Sequence, residues 1–174
     1  MKKDKKHTNF EKYILKCEFI KAESLIKNFS IQKIDESLFT LAYDTGSINP
    51  YGFICYLIQK EEKAQYHAIA SVLLSHGLVH LPYVFELALF HQKRAITLEP
   101  KNIGYKESLF YFNDIPERIL SDKDTIIVAR GILELDPVNE QAIRALETIS
   151  KLRRNKKAEV LLKKYIIHKN ETKR

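Results

Sequence analysis

The chain is poor in the residues that build loops, covalent staples and membrane spans. Of its 174 residues, five are glycine, five proline and two cysteine, and tryptophan is missing altogether. So few chain breakers over that length exclude a loop-rich or low-complexity fold and leave long regular elements as the expectation. Cys17 and Cys55 stand far apart in apolar stretches and form no CxxC, which argues against a disulfide framework or a zinc knuckle and for a reducing compartment. The longest apolar run, around Tyr51 to Ile58, falls far short of the roughly 20 residues that a spanning helix needs. The start, Met1-Lys2-Lys3-Asp4-Lys5-Lys6, is basic, but Glu11, Lys12 and Lys16 interrupt the apolar residues after it, so no signal-peptide core is expected. These absences together predict a cytoplasmic protein with no membrane partner.

What is present is ordinary globular material. Hydrophobic residues make up 45% and charged residues 29%, enough for a single domain, 1–174, to bury a core without cross-links. The net charge of +7 is unevenly placed. Residues 151–174 hold ten Lys or Arg against Glu159 and Glu171, residues 1–6 are also basic, and residues 7–150 are mildly acidic. Residues 1–8 and 169–174 read as basic tails. A nucleic-acid surface normally needs a contiguous basic stripe on the folded body, so this distribution is a weak signal for one.

The prolines act as punctuation. Pro82, Pro100, Pro116 and Pro137 recur at intervals of 18, 16 and 21 residues, each about one helix and its turn. Val84, Ala88, His91, Ala95 and Leu98 form an apolar stripe after Pro82, which suits a first helical turn. Ser121 with Asp124 predicts an N-terminal cap, followed by Val128, Ala129, Ile132 and Leu135; the β-branched Thr125–Val128 segment is read as helix, not strand. Asn139 is expected to cap a helix with Ala142, Leu146, Ile149 and Leu152 on its inner face. Asn155 is expected to cap one with Ala158, Leu161, Leu162, Tyr165 and Ile166 inward. Upstream, Asn9–Asn28 reads as one helix with Phe10, Tyr13, Ile14, Cys17 and Ile20 buried, and Ile34–Asp44 as a second. Tyr51–Gln59, opened by Pro50, reads as a central helix packed all round, and Glu61–Leu78 as a fourth.

Two octets overlay at a spacing of 37 residues, Ala95-Ile96-Thr97-Leu98-Glu99-Pro100-Lys101-Asn102 and Ile132-Leu133-Glu134-Leu135-Asp136-Pro137-Val138-Asn139. This period lies near 34, and the octets resemble the end of the second helix of a tetratricopeptide repeat and the turn after it. Ala88, Ala95 and Pro100 match the small packing residues and closing proline of that family, and Gly77 lies near its first-helix small residue. Thr125 and Ile132 depart from its alanines, and the turn at Asn113–Ser121 is long. The resemblance covers about residues 66–168. It implies an all-α, tetratricopeptide-like superhelix of about nine helices, with a divergent helical region over residues 9–60 and hairpins over 61–168.

The same resemblance implies a non-enzymatic protein-interaction module whose first helices line a concave groove, here Glu107, Tyr111, Gln141, Arg144, Thr148 and Lys151. With its Lys, Ile and Asn bias the chain is similar to small bacterial adaptors and to immunity proteins that bind a cognate toxin. Glu107 and Tyr111 stand where some members carry a lysine and asparagine clamp, so a chaperone-tail receptor is not implied. No catalytic motif, cofactor or small-molecule substrate is expected. Tyr105, Phe110, Tyr111 and Phe112 in one short helix exceed one buried stripe. His76 and His80, four apart with His67 and His91 elsewhere, have a metal-compatible spacing but suit helix packing better. Arg153, Arg154, Lys156, Lys157, Lys163 and Lys164 form a basic face. It is read first as solvated and second as a nucleic-acid surface, although no aromatic is interleaved for base stacking.

Overall fold

The computed structural model describes residues 5–171, with side chains over 9–165. Among them the fold is helical and contains no strand, as the scarcity of breakers predicts. By contact the chain divides into two compact units, Met1–Pro100 and Lys101–Arg174.

The first unit holds α1 (Lys5–Leu15), α2 (Phe19–Ile26), α3 (Ile31–Thr45), α4 (Asn49–Lys60), α5 (Ala64–Val72) and α6 (Val84–Leu98). A π-helical turn, Leu73–Gly77, continues α5. Its core is aromatic where α1, α2 and α4 meet: Phe10 and Phe53 are wholly buried, 5.7 Å apart edge to face, and Phe19 packs on Phe53 at 5.6 Å. Such pairs add about 1 kcal/mol each beyond their area. Ser30 caps α3 through Lys33 N–H at 3.2 Å, and Gly46 ends it at φ 63°, a left-handed conformation in which glycine avoids the Cβ clash. At the π turn, a Cβ on Gly77 would lie 3.3 Å from Ala42 Cβ. This glycine therefore lets the turn approach α3 closely.

The second unit holds α7 (Ile103–Glu107), α8 (Tyr111–Asp114), α9 (Asp122–Leu133), α10 (Glu140–Leu152) and α11 (Lys156–Glu171). The inner faces of α9, α10 and α11 share one core built on Ala129, Ile132, Leu133, Leu146, Ile149 and Ala158. Small Ala129, Ala142 and Ala158 are fully buried, which lets the three helices pack closely. The expected caps form: Ser121 accepts from Asp124 N–H at 3.1 Å, Asn139 from Ala142 N–H at 3.0 Å, and Asn155 from Lys157 N–H at 3.0 Å. The paired octets share one local role. Each closes a helix, passes a proline and ends on an asparagine that caps the next, Asn102 for α7 and Asn139 for α10.

Several expectations are corrected. Asn9–Asn28 is two helices, because Cys17 takes a left-handed φ of 57° between α1 and α2; Cys17 is exposed, and Ile20 is 76% exposed. Ile34–Asp44 begins three residues earlier, at the Ser30 cap. Pro82 precedes α6 rather than opening it, since Tyr83 at the cap is left-handed. Leu135 and Leu152 are exposed, each lying beyond or at the end of its helix. The four clustered aromatics are split, Tyr105 in α7, Phe110 at the cap of α8 and Tyr111 and Phe112 within α8, with Phe110 and Phe112 buried and Tyr105 and Tyr111 half-buried. These breaks yield eleven α-helical segments among the described residues, against about nine expected. Ile166 lies outside the described side chains.

Candidate functional site

The outer faces of α9 and α11 enclose a trough of about 850 Å³. Lys123, Ile126, Ile127 and Arg130 line it from α9 at helical spacing of three, four and seven residues, so one face of that helix faces the trough. Lys156, Lys157, Val160, Leu161 and Lys164 line it from α11, with Asn155 at the cap. Each wall places two apolar residues between cations, one before them on α9 and two on α11. Ile126 and Leu161 rest on the core below. Ile127 and Val160 stand above them, 49% and 70% exposed. Arg130 has a distant partner, Glu134, at 3.8 Å, and among the described residues no acidic side chain lines the trough. The arrangement leaves apolar surface unburied inside a ring of positive charge.

The basic face expected from the sequence is divided by the fold. Lys156, Lys157 and Lys164 line the trough, Arg154 is exposed, and Lys163 pairs with Glu159 at 2.6 Å. Arg153 is the correction. It is largely buried, donates to Asn113 Oδ1 at 2.5 Å and to the Asp122 carboxylate, and so belongs to the frame of the unit rather than to a basic surface. Asn113 in turn donates to the Leu120 carbonyl at 2.8 Å, so this cluster straps the long 113–121 turn to the end of α10. Burial alone would raise the Asp122 carboxyl, but hydrogen bonds from Asn113, Arg118 and Arg153 outweigh it and hold it below the usual range.

None of the six residues expected to line a concave groove lines this trough. Glu107 ends α7 and accepts from Asn139 Nδ2 at 2.8 Å, which brings it to the start of α10. Tyr111 opens α8, half-buried and edge-on to Phe112, and burial raises its hydroxyl. Gln141, Arg144, Thr148 and Lys151 share one face of α10, the first two and Lys151 exposed and Thr148 half-buried. Reasoning along single stripes missed Ile127 and Val160 because neither belongs to a core stripe. The usable signal was a cation one turn before and after each: Lys123 and Arg130 about Ile127, Lys156 and Lys164 about Val160.

His67 and His91 serve the first unit's interior, whereas His76 and His80 are exposed. His67 Nδ1 and His91 Nδ1 are 2.8 Å apart, His91 Nε2 is 3.0 Å from the Tyr51 hydroxyl, and His67 Nε2 is 3.1 Å from Glu62 Oε1. Glu62 also accepts both forks of Arg94, at 2.7 and 2.8 Å. An ionised carboxylate only accepts, so His67 carries its proton on Nε2 and accepts at Nδ1. His91 then donates from Nδ1 and accepts from Tyr51 at Nε2, and every bond is satisfied. Desolvation, with a smaller contribution from His67, pushes His91 down to about 4. Arg94 first, and then His67, hold Glu62 down to about 2. His76 bonds the Ser75 hydroxyl at 2.7 Å and His80 is exposed. Among the described residues no three His, Cys, Asp or Glu side chains cluster as metal ligands would, and no helix is long and apolar enough to cross a membrane.

The first unit also carries a cleft of about 590 Å³ beside exposed Ile48, Tyr83, Leu87 and Phe90. Among the described residues lining it, Glu86 alone is charged.

No protein-family model, curated protein or solved structure matches this chain.

Proposed function

We propose that this chain is a non-enzymatic protein-interaction module built from tetratricopeptide-like helical pairs, a bacterial adaptor or immunity protein that holds a cognate protein. The observation that carries this reading is the trough between α9 and α11. Exposed Ile127 and Val160 inside a cationic rim resemble the apolar centre and polar edge of a binding interface more than an ordinary solvated surface. The alternating hairpins and the shared cap-proline octets support the repeat-like architecture. The buried His67 and His91 of the first unit bond each other, Tyr51 and Glu62 rather than a cleft, which gives them a structural use.

The test is capture by the full chain in a nuclease-treated extract of its native cell. A single protein retained in fixed stoichiometry, in a complex that survives dilution to micromolar, supports the reading; a tight partner unique to one pathway marks an immunity protein, and weaker, broader partners mark an adaptor. The rival reading is nucleic-acid binding by Lys123, Arg130, Lys156, Lys157 and Lys164. RNA held by the untreated sample and released steeply by salt would favour it.

A further inference from the structure

We propose that the trough between α9 and α11 receives one acidic amphipathic helix of a partner protein, two to three turns long, with apolar residues seated on Ile127 and Val160 and carboxylates against the surrounding cations. This rests on the protein-binding reading above and names the chemistry of the partner.

The occupant follows from length, charge and floor. On α9 the cations Lys123 and Arg130 stand seven residues apart, and on α11 Lys156 and Lys164 stand eight apart. At 1.5 Å per residue those spans are about 10 and 12 Å, two helical turns of a ligand. Between the cations each wall offers adjacent apolar residues, Ile126 with Ile127 and Val160 with Leu161, so the ligand must place its apolar groups within about one turn of each other. A helix does this at i and i+3 or i+4 on one face, and it would lie against α9 and α11 as a further packed helix at the usual 8–10 Å spacing. Because no carboxylate among the described residues lines the walls, the ligand must supply the negative charge on its flanks. A nucleic-acid strand would satisfy the rim but leave Ile127 and Val160 against phosphate and sugar, and among the described residues no aromatic lines the trough to stack a base.

The area is small, so affinity is set in the range of a weak, transient contact, on the order of 10 µM for an isolated helix. Specificity comes from the order cation, apolar, cation, which a basic or uniformly polar helix fails to match.

The probe is a fluorescent, helix-capped acidic peptide of about 14 residues with leucines at i, i+4, i+7 and i+11 and glutamates on both flanks, titrated by anisotropy into the full chain. Three controls accompany it: the same composition with leucines scattered round the helix, a version with lysine for glutamate, and a single-stranded oligonucleotide of equal charge. The expected result is binding of the patterned peptide alone among the peptides. Val160→Asp and Ile127→Asp each weaken it at least tenfold, and Lys157→Glu combined with Lys164→Glu weakens it about tenfold and transfers preference to the lysine peptide. Both floor positions are exposed, so the variants keep their helicity, which circular dichroism verifies. Equal binding of the scattered peptide, or no response to the floor variants, overturns the proposal in favour of a general polyanion surface. Tighter binding of the oligonucleotide that survives Val160→Asp overturns it in favour of nucleic acid. If no peptide binds while a captured protein partner is still released by Val160→Asp, the helix is wrong but protein binding stands; if the captured partner is indifferent to the trough, the trough's role in binding fails as well.

Discussion

His91 lies where α5 and α6 cross, 5% exposed, with His67, Glu62, Arg94 and Tyr51 in its network. Its ring is neutral in the folded protein down to about pH 4, whereas in the unfolded chain it takes a proton near 6.5. Between those values the unfolded state binds more protons, so stability falls as pH falls through that window. The loss from this group alone is about 2 kcal/mol on going from pH 7.5 to 5. Glu62, lowered from 4.5 to about 2, contributes stability that is lost as pH falls from the first value to the second, so it changes little between pH 7.5 and 5. Urea midpoints at the two pH values check this, and His91→Gln should flatten the difference while lowering stability at pH 7.5.

A second residue-scale outcome concerns Cys17, exposed and at a φ of 57°. Cys17→Gly removes the left-handed penalty at the cost of a more flexible unfolded chain, for a net gain of about 0.5 kcal/mol, read as a small rise in the denaturation midpoint. Cys17→Val, branched at Cβ, should lower it instead.

At the scale of elements the framework rests on caps and one close approach. Arg153→Ala strips Asn113 and Asp122 of a largely buried partner and loosens the 113–121 turn from α10, at a cost of about 2–3 kcal/mol by thermal or urea unfolding. Lys157→Ala, a few residues away and exposed, should stay within about 0.5 kcal/mol. The contrast separates the frame from the rim. Gly77→Val forces branched methyls toward Ala42 and Phe39, where even a bare Cβ would be 3.3 Å from its neighbour, and should cost about 1–3 kcal/mol.

These elements were legible in the sequence where chemistry is local. Ser121, Asn139 and Asn155 announce helix starts because a side-chain oxygen two or three residues ahead of an orphan N–H is a short-range event. The break at Cys17 was not legible, since neither glycine nor proline marks it and the turn is held by the packing of Phe10, Phe19 and Phe53 around it. Arg153 looked like part of a basic run because its partners, Asn113 and Asp122, lie 40 and 31 residues away. The trough was illegible for a related reason: Ile127 and Val160 are each unremarkable on one helix and become a site only when α9 and α11 share a core.

For the molecule as a whole, the account holds that helical stripes fold the second unit around a single core and leave an apolar, cation-ringed surface for a partner. Far-UV circular dichroism should be that of a dominantly helical chain, and substantial sheet signal would contradict the fold. The most direct measurement of the central claim is methyl NMR of the full chain labelled at isoleucine and valine, titrated with the patterned acidic peptide. The account predicts that Ile127 and Val160 shift first and furthest, Ile126 follows, and the buried Ile132 and Ile149 hold still. Shifts centred on the α10 face of Arg144 and Thr148, or shifts at neither surface when the peptide is in excess, would contradict it.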